Sequence, residues 1–210
     1  MSESTFTQPE LAAVEAHGIT RSSFILRGAL ATGTMYGVAS VGPFVSRALA
    51  ETDSNDIDIL NFALTLEYLE SAFYDTKAKE ANLSGQAKSY AKLFGEQEAQ
   101  HVVALTDTIK KLGGKPVKKP MFVFPGNGEK AFLALASALE NTGVGAYNGA
   151  APSLQNKQVL AAAGSIVQTE ARHAAAINLL IDKTPTPSGG FDTPLTKAEV
   201  LKIASPFIKA

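Results

Sequence analysis

The chain predicts an all-α fold: a four-helix bundle with a long crossover between helices two and three, plus a short C-terminal helix. Three observations carry this expectation. Four long stretches repeat apolar residues every three or four positions, the spacing of one helix face. A segment rich in Pro and Gly from Gly113 to Gly128 divides those stretches two and two. Landmarks of the first pair recur in the second at a displacement of 72 or 73 residues, the mark of an internal duplication.

Composition fits one well-buried core. The 210 residues are 45% apolar with a formal net charge of −1, the balance of an ordinary globular protein without the basic footprint of a nucleic-acid binder. Lys110, Lys111, Lys115, Lys118 and Lys119 gather around the middle connection, where a solvated charge run is expected. The chain has no Cys, which excludes disulfides, thiolate-bound zinc and a Cys-ligated iron site within it.

Residues 1–50 differ from the rest. An Arg-containing segment from Thr20 to Arg27 precedes a weakly apolar Gly/Ala-rich stretch, Gly28 to Val45, and then Ser46-Arg-Ala48-Leu-Ala50, which has the small-x-small form of a signal-peptidase site. This reads as an export signal cleaved after Ala50, leaving no stable membrane span and placing the mature protein in the periplasm, cell envelope or medium. It resembles a degenerate twin-arginine leader, because Ser22 follows Arg21 and breaks the arginine pair. An uncleaved amphipathic helix or a membrane anchor is the alternative, although the apolar stretch is marginal for a span. His17 lies in this segment, apart from the motifs below.

Residues 51–183 should form the bundle. Asp53 or Ser54 can cap a first helix running to about Asn82, with Leu60, Leu64, Glu67, Ser71 and Tyr74 on one face. Ser84-Gly85 breaks the chain before a second helix to about Leu112, carrying Phe94, Glu98, His101, Leu105 and Leu112 in register until Gly113-Gly114 stops it. So short a break makes the two antiparallel neighbours. After the crossover, a third helix from about Glu129 to Ala150 carries Leu133, Ala136, Glu140 and Tyr147, weakened by Gly143, Gly145 and Gly149. The fourth should start near Pro152 and run to about Asp182, with Ile166, Val167, Glu170, His173, Ile177 and Leu180 on one face. Residues 184–210 read as a linker and a terminal helix that packs on the bundle, opened by the capping box Thr196-Lys-Ala-Glu199.

The chemistry lies on these faces. Glu98-Ala-Gln-His101 and Glu170-Ala-Arg-His173 each put a carboxylate and an imidazole one turn apart on one side of a helix. Glu67 and Glu140 each have a Tyr seven residues later, Tyr74 and Tyr147, two turns along the same face. Four carboxylates driven into one core would repel one another or take up protons, and two divalent cations would balance them. Oxygen-rich ligation with one neutral His per ion suits iron or manganese better than tetrahedral zinc, and leaves positions open for water, dioxygen or peroxide. Tyr74 and Tyr147 can donate hydrogen bonds to the ligands or simply fill the core. Glu70, one turn after Glu67, is either an extra ligand or a flanking surface residue, and the surface is the favoured reading; Glu96 points away. A metal-free bundle in which the same residues pair with one another remains the rival reading.

The pattern of one Glu on each of two helices and Glu-x-x-His on each of the other two resembles the ferritin-like dimetal bundles, including bacterioferritins and rubrerythrins. Leu66-Glu67-Tyr-Leu-Glu70, the Phe- and Pro-containing crossover and the tail Phe191-Asp-Thr-Pro-Leu195 are most similar to secreted ferritin-like proteins of the desiccation-related type, over roughly residues 54–210. The resemblance implies Glu98 and Glu170 as bridging ligands, and His101, His173, Glu67 and Glu140 as terminal ones. It implies a ferroxidase or another oxidoreductase acting on dioxygen or peroxide, with an external electron donor and a possible homo-oligomer. Manganese catalase-like peroxide disproportionation and a non-catalytic role in desiccation or stress are the alternatives. The sequence departs from rubrerythrins at Gly143, where their third helix carries a further Glu.

Overall fold

The computed structural model of the protein describes residues 56–209, so the leader, its cleavage point and His17 lie outside the described residues. Helix α1 (Asp56–Glu80) opens with Asp56 and Asp58 and closes with Lys77 and Lys79, charges that complement the helix dipole. Asn82, in the left-handed region at φ 50°, turns the chain into α2 (Gly85–Lys111). At the end of α2, Gly114 N–H donates to the Ile109 carbonyl and Gly113 N–H to that of Lys110. This paired closure needs the positive φ of 79° that Gly113 supplies.

The crossover then travels the length of α1. Asn61 Nδ2 donates to the Lys115 carbonyl near the start of α1, Phe124 packs on Phe73, and Glu129 accepts from the Ser84 backbone N–H and hydroxyl near the end of α1. A connection that crosses the whole bundle delivers α3 (Gly128–Ala150) antiparallel to α1. The turn 151–153 is a short 3-10 segment, and α4 (Lys157–Leu180) follows. Its start corrects the expectation from Pro152: Pro152 sits in the 3-10 turn, and Asn156 caps the helix by accepting from the N–H groups of Gln158 and Val159. Asp56 accepts from the N–H groups of Gln155 and Asn156, tying the start of α1 to this turn.

Thr196 and Glu199 form the expected capping box of α5 (Lys197–Ala204), which buries Val200 and Ala204 against the bundle. Two short strands add to the all-α plan. β1 (Met121–Phe122), within the crossover, pairs antiparallel with β2 (Ile208–Lys209) at the chain end. The glycines of α3 have a use that helix propensity hides. A Cβ on Gly149 would stand 1.9 Å from the Leu195 carbonyl oxygen, and one on Gly145 would stand 2.6 Å from Leu195 Cγ. The segment before α5 therefore lies directly on α3, with Leu195 N–H donating to the Gly145 carbonyl. Contact with the tail offsets the weak intrinsic propensity, and α3 is continuous through all three glycines.

The core has two apolar clusters along the bundle axis. One gathers Leu69, Phe73, Phe94, Phe132 and Ile177, and the other Leu60, Leu64, Leu105, Ile109 and Ile166. On α2 and α4 the carboxylates and imidazoles fall between the residues of these two clusters. Apolar packing on both sides thus makes the middle of the bundle a low-dielectric compartment. Among the described residues, no helix is long and apolar enough to cross a membrane.

Candidate metal centre

Helical spacing brings all six expected residues into that compartment. Glu67 on α1, Glu98 on α2, Glu140 on α3 and Glu170 on α4 are completely buried, His173 is 2% exposed and His101 is partly buried. The six residues form two groups of potential ligands, Glu67, Glu98, His101 and Glu170, and Glu98, Glu140, Glu170 and His173, each with donor atoms within 4.8 Å of one another. Glu98 and Glu170 belong to both groups. They stand in the middle, with one His and one further Glu at each side.

Both imidazoles turn Nδ1 toward the carboxylates. His101 Nδ1 is 3.0 Å from Glu98 Oε2 and 3.2 Å from both Glu67 Oε2 and Glu170 Oε1. His173 Nδ1 is 2.9 Å from Glu98 Oε1 and 3.3 Å from Glu140 Oε2. Distance and direction disagree here. Glu98 Oε1, Glu140 Oε2, both oxygens of Glu170 and His173 Nδ1 have no well-directed hydrogen bond, although they lie close together. Buried polar atoms normally find partners, and atoms that crowd without pairing are suited to converge on an ion. The donor set therefore fits a pair of divalent metals.

Electrostatics gives the same picture. Burial raises the Glu67 pKa to about 8, with the neighbouring Glu98 adding to the rise against the pull of His101. Burial raises Glu140 and Glu170 also, Glu170 well above the ordinary range under the added charges of Glu98 and Glu67. For Glu98, burial is outweighed by His101 and His173, which bring it down to about 2. Burial would lower both histidines, but the surrounding carboxylates push His101 up to about 12 and His173 up to about 9. Without metal, the compartment holds its charge balance by keeping protons.

The tyrosines cross over. Tyr74 on α1 donates its hydroxyl to Glu140 on α3, and Tyr147 on α3 donates to Glu67 on α1. Each glutamate is thus fixed by the tyrosine of the other half, which the spacing within one helix could not show. Gln97 is a partner that sequence reasoning missed. Its Oε1 accepts from His173 Nε2 at 2.7 Å, which leaves Nδ1 with the lone pair for a ligand, while Phe94 stacks on the ring at 3.9 Å between centroids. A Gln reaching from α2 to α4 has no local signal. Glu96 is exposed as expected, whereas Glu70 is not at the surface: it is 3% exposed. Placing it outside assumed a narrow apolar face on α1, but α1 also buries Leu66, Leu69, Ala72 and Phe73, so its buried face is wide enough to take Glu70 inward.

An antiparallel four-helix bundle with buried Glu and His at its centre defines a helical protein of the carboxylate–histidine class. The ferritin-like domain family matches residues 55–183, and the chain belongs to that family. Among solved structures it is similar to the ferritin-like, diiron-carboxylate proteins from Bacillus anthracis str. Ames, with a TM-score of 0.52 and 23% identity, covering 60% of this chain and 94% of that one. At that identity the likeness concerns the fold. No curated protein matches the sequence.

Proposed function

We propose that the protein binds a dinuclear metal centre, iron in preference to manganese, and oxidises Fe(II) with dioxygen or peroxide. The observation that carries this reading is the pair of overlapping donor groups sharing Glu98 and Glu170, built from buried atoms that lack directed partners. Glu98 and Glu170 would span both ions, His101 and Glu67 would complete one side, and His173 and Glu140 the other. Bound redox-active ions would supply the electrons that reduce dioxygen or peroxide.

The chain's own residues prepare the site. Tyr147 and Tyr74 hold the outer carboxylates by hydrogen bonds, Gln97 sets the His173 tautomer, and the two apolar clusters exclude bulk water. Repeated turnover would draw electrons from an external donor, since the chain has no Cys to hold a second iron site. The leader motif and the tail from Phe191 to Leu195 support an exported protein of the desiccation-related type, cleaved near Ala50.

Metal analysis of untagged protein, followed by Fe(II)-oxidation and peroxide-decay assays, tests this reading. Two ions per chain with Fe(II) oxidation is the expected result. Peroxide decay with bound manganese and no Fe(II) oxidation would favour the catalase-like alternative, and a chain with neither metal nor activity would leave the structural role. Glu98→Ala combined with Glu170→Ala should abolish binding of both ions, and unchanged stoichiometry would refute the ligand assignment.

A further inference from the structure

Glu70 is one turn beyond Glu67 on α1 and outside both donor groups. Its carboxylate is turned toward a bare stretch of α3 backbone. A Cβ built on Gly143 would lie 3.2 Å from Glu70 Oε1 and 2.9 Å from Glu170 Oε2, so both oxygens approach the space that a side chain at 143 would fill. Both Glu170 oxygens lack directed hydrogen bonds, and Glu170 is one of the two residues common to the donor groups. Gly143 therefore makes room for a carboxylate from α1 where α3 contributes none. Glu70 and Gly143 together border a small cavity of about 10 Å³ beneath α5, lined also by Leu66, Leu139, Thr142 and Ala204. A space of this size holds at most about one water, so the carboxylate has little solvation available there.

We propose that Glu70 is a seventh protein ligand of the metal pair, joining on the Glu170 side through the gap left by Gly143. This rests on the dimetal reading above. Charge supports it: burial, and then the carboxylates of Glu170, Glu140, Glu98 and Glu67, hold Glu70 well above its ordinary pKa, a position that a nearby cation would relieve. Glu70 supplies a carboxylate from α1 at a place where the backbone of α3 offers none.

The test is a titration of metal-free full-length protein with Mn(II), and with Co(II) as an optical probe of coordination. Wild type is compared with Glu70→Gln, Glu70→Asp and the exposed control Glu96→Gln. The glutamine variant keeps the shape of the side chain, and its circular dichroism reports whether it folds. Expected are two ions in wild type and the control, with Glu70→Gln losing about tenfold or more in affinity for one ion and changing the Co(II) spectrum. Glu70→Asp keeps the charge and should lose less. Two ions bound by Glu70→Gln with wild-type affinity and spectrum would overturn the role of Glu70 and leave the site standing. Wild type that binds no metal would overturn the dimetal reading and this inference with it.

Discussion

Glu67, Glu98, Glu140 and Glu170 can be found from sequence because each depends on its position in a helix, and helix geometry then decides the face. Residues whose burial depends on a neighbouring helix are not found that way. Glu70 turns inward where α3 has only Gly143, and Gln97 serves a histidine on another helix. Two predictions belong at this scale. Tyr147→Phe removes a hydrogen bond to Glu67, and Tyr74→Phe removes one to Glu140. Each should weaken one ion by about tenfold while two ions still bind, because partners of ligands tune affinity without supplying the ligand. Calorimetric titration with Mn(II) reads this, and loss of a whole ion in either variant would make the tyrosine more than a partner. Gln97→Leu should weaken the ion on the His173 side and leave the His101 side at wild-type affinity, a split that the same titration resolves.

At the scale of elements, two helix ends were legible because their caps lie nearby in sequence. Thr196-Glu199 opens α5 and Gly113-Gly114 closes α2 through contacts only a few residues apart. The start of α4 was displaced because Pro suits a 3-10 turn as well as a first helical turn, and Asn156 is the better cap. Pairing of Met121-Phe122 with Ile208-Lys209 joins distant segments and leaves no periodicity to read. The glycines of α3 show the same limit, since propensity sees only lost helix stability and not the tail that lies on them. Gly149→Ala should therefore destabilise the protein by roughly 1–3 kcal/mol, because its Cβ meets the Leu195 backbone. Gly164→Ala on α4 meets nothing within 4 Å and should stabilise by roughly 0.5–1 kcal/mol. Thermal melts of the two variants side by side decide this, and equal shifts of the same sign would contradict the packing argument.

For the whole molecule, the proposed metal pair would compete with protons for one compartment. In the metal-free protein, Glu67, His173 and His101 have folded values raised to about 8, about 9 and about 12. A group with a raised folded value adds stability that is full below its ordinary value and is lost as pH climbs through the folded one. Glu98, lowered to about 2, acts in the opposite sense and withdraws its contribution as pH falls from 4.5 toward 2. The metal-free protein should therefore melt at steadily lower temperature from about pH 4.5, the ordinary value of Glu67, to about pH 9, the folded value of His173, while bound ions replace the protons. The rise in Tm produced by saturating Mn(II) should grow over the same interval, as melts with chelator and with metal would show. A gap that narrows as pH rises would contradict the competition.

The crossed tyrosines give the duplication a further meaning. Separated between α2 and α3, the first hairpin would keep Glu67, Glu98 and His101 while Tyr74 lost its acceptor, and the second would keep Glu140, Glu170 and His173 while Tyr147 lost its own. Each repeat holds the other's carboxylate rather than its own. The two halves are therefore not interchangeable modules: a substitution in one is felt first by a residue encoded in the other, and the pair can drift only in step.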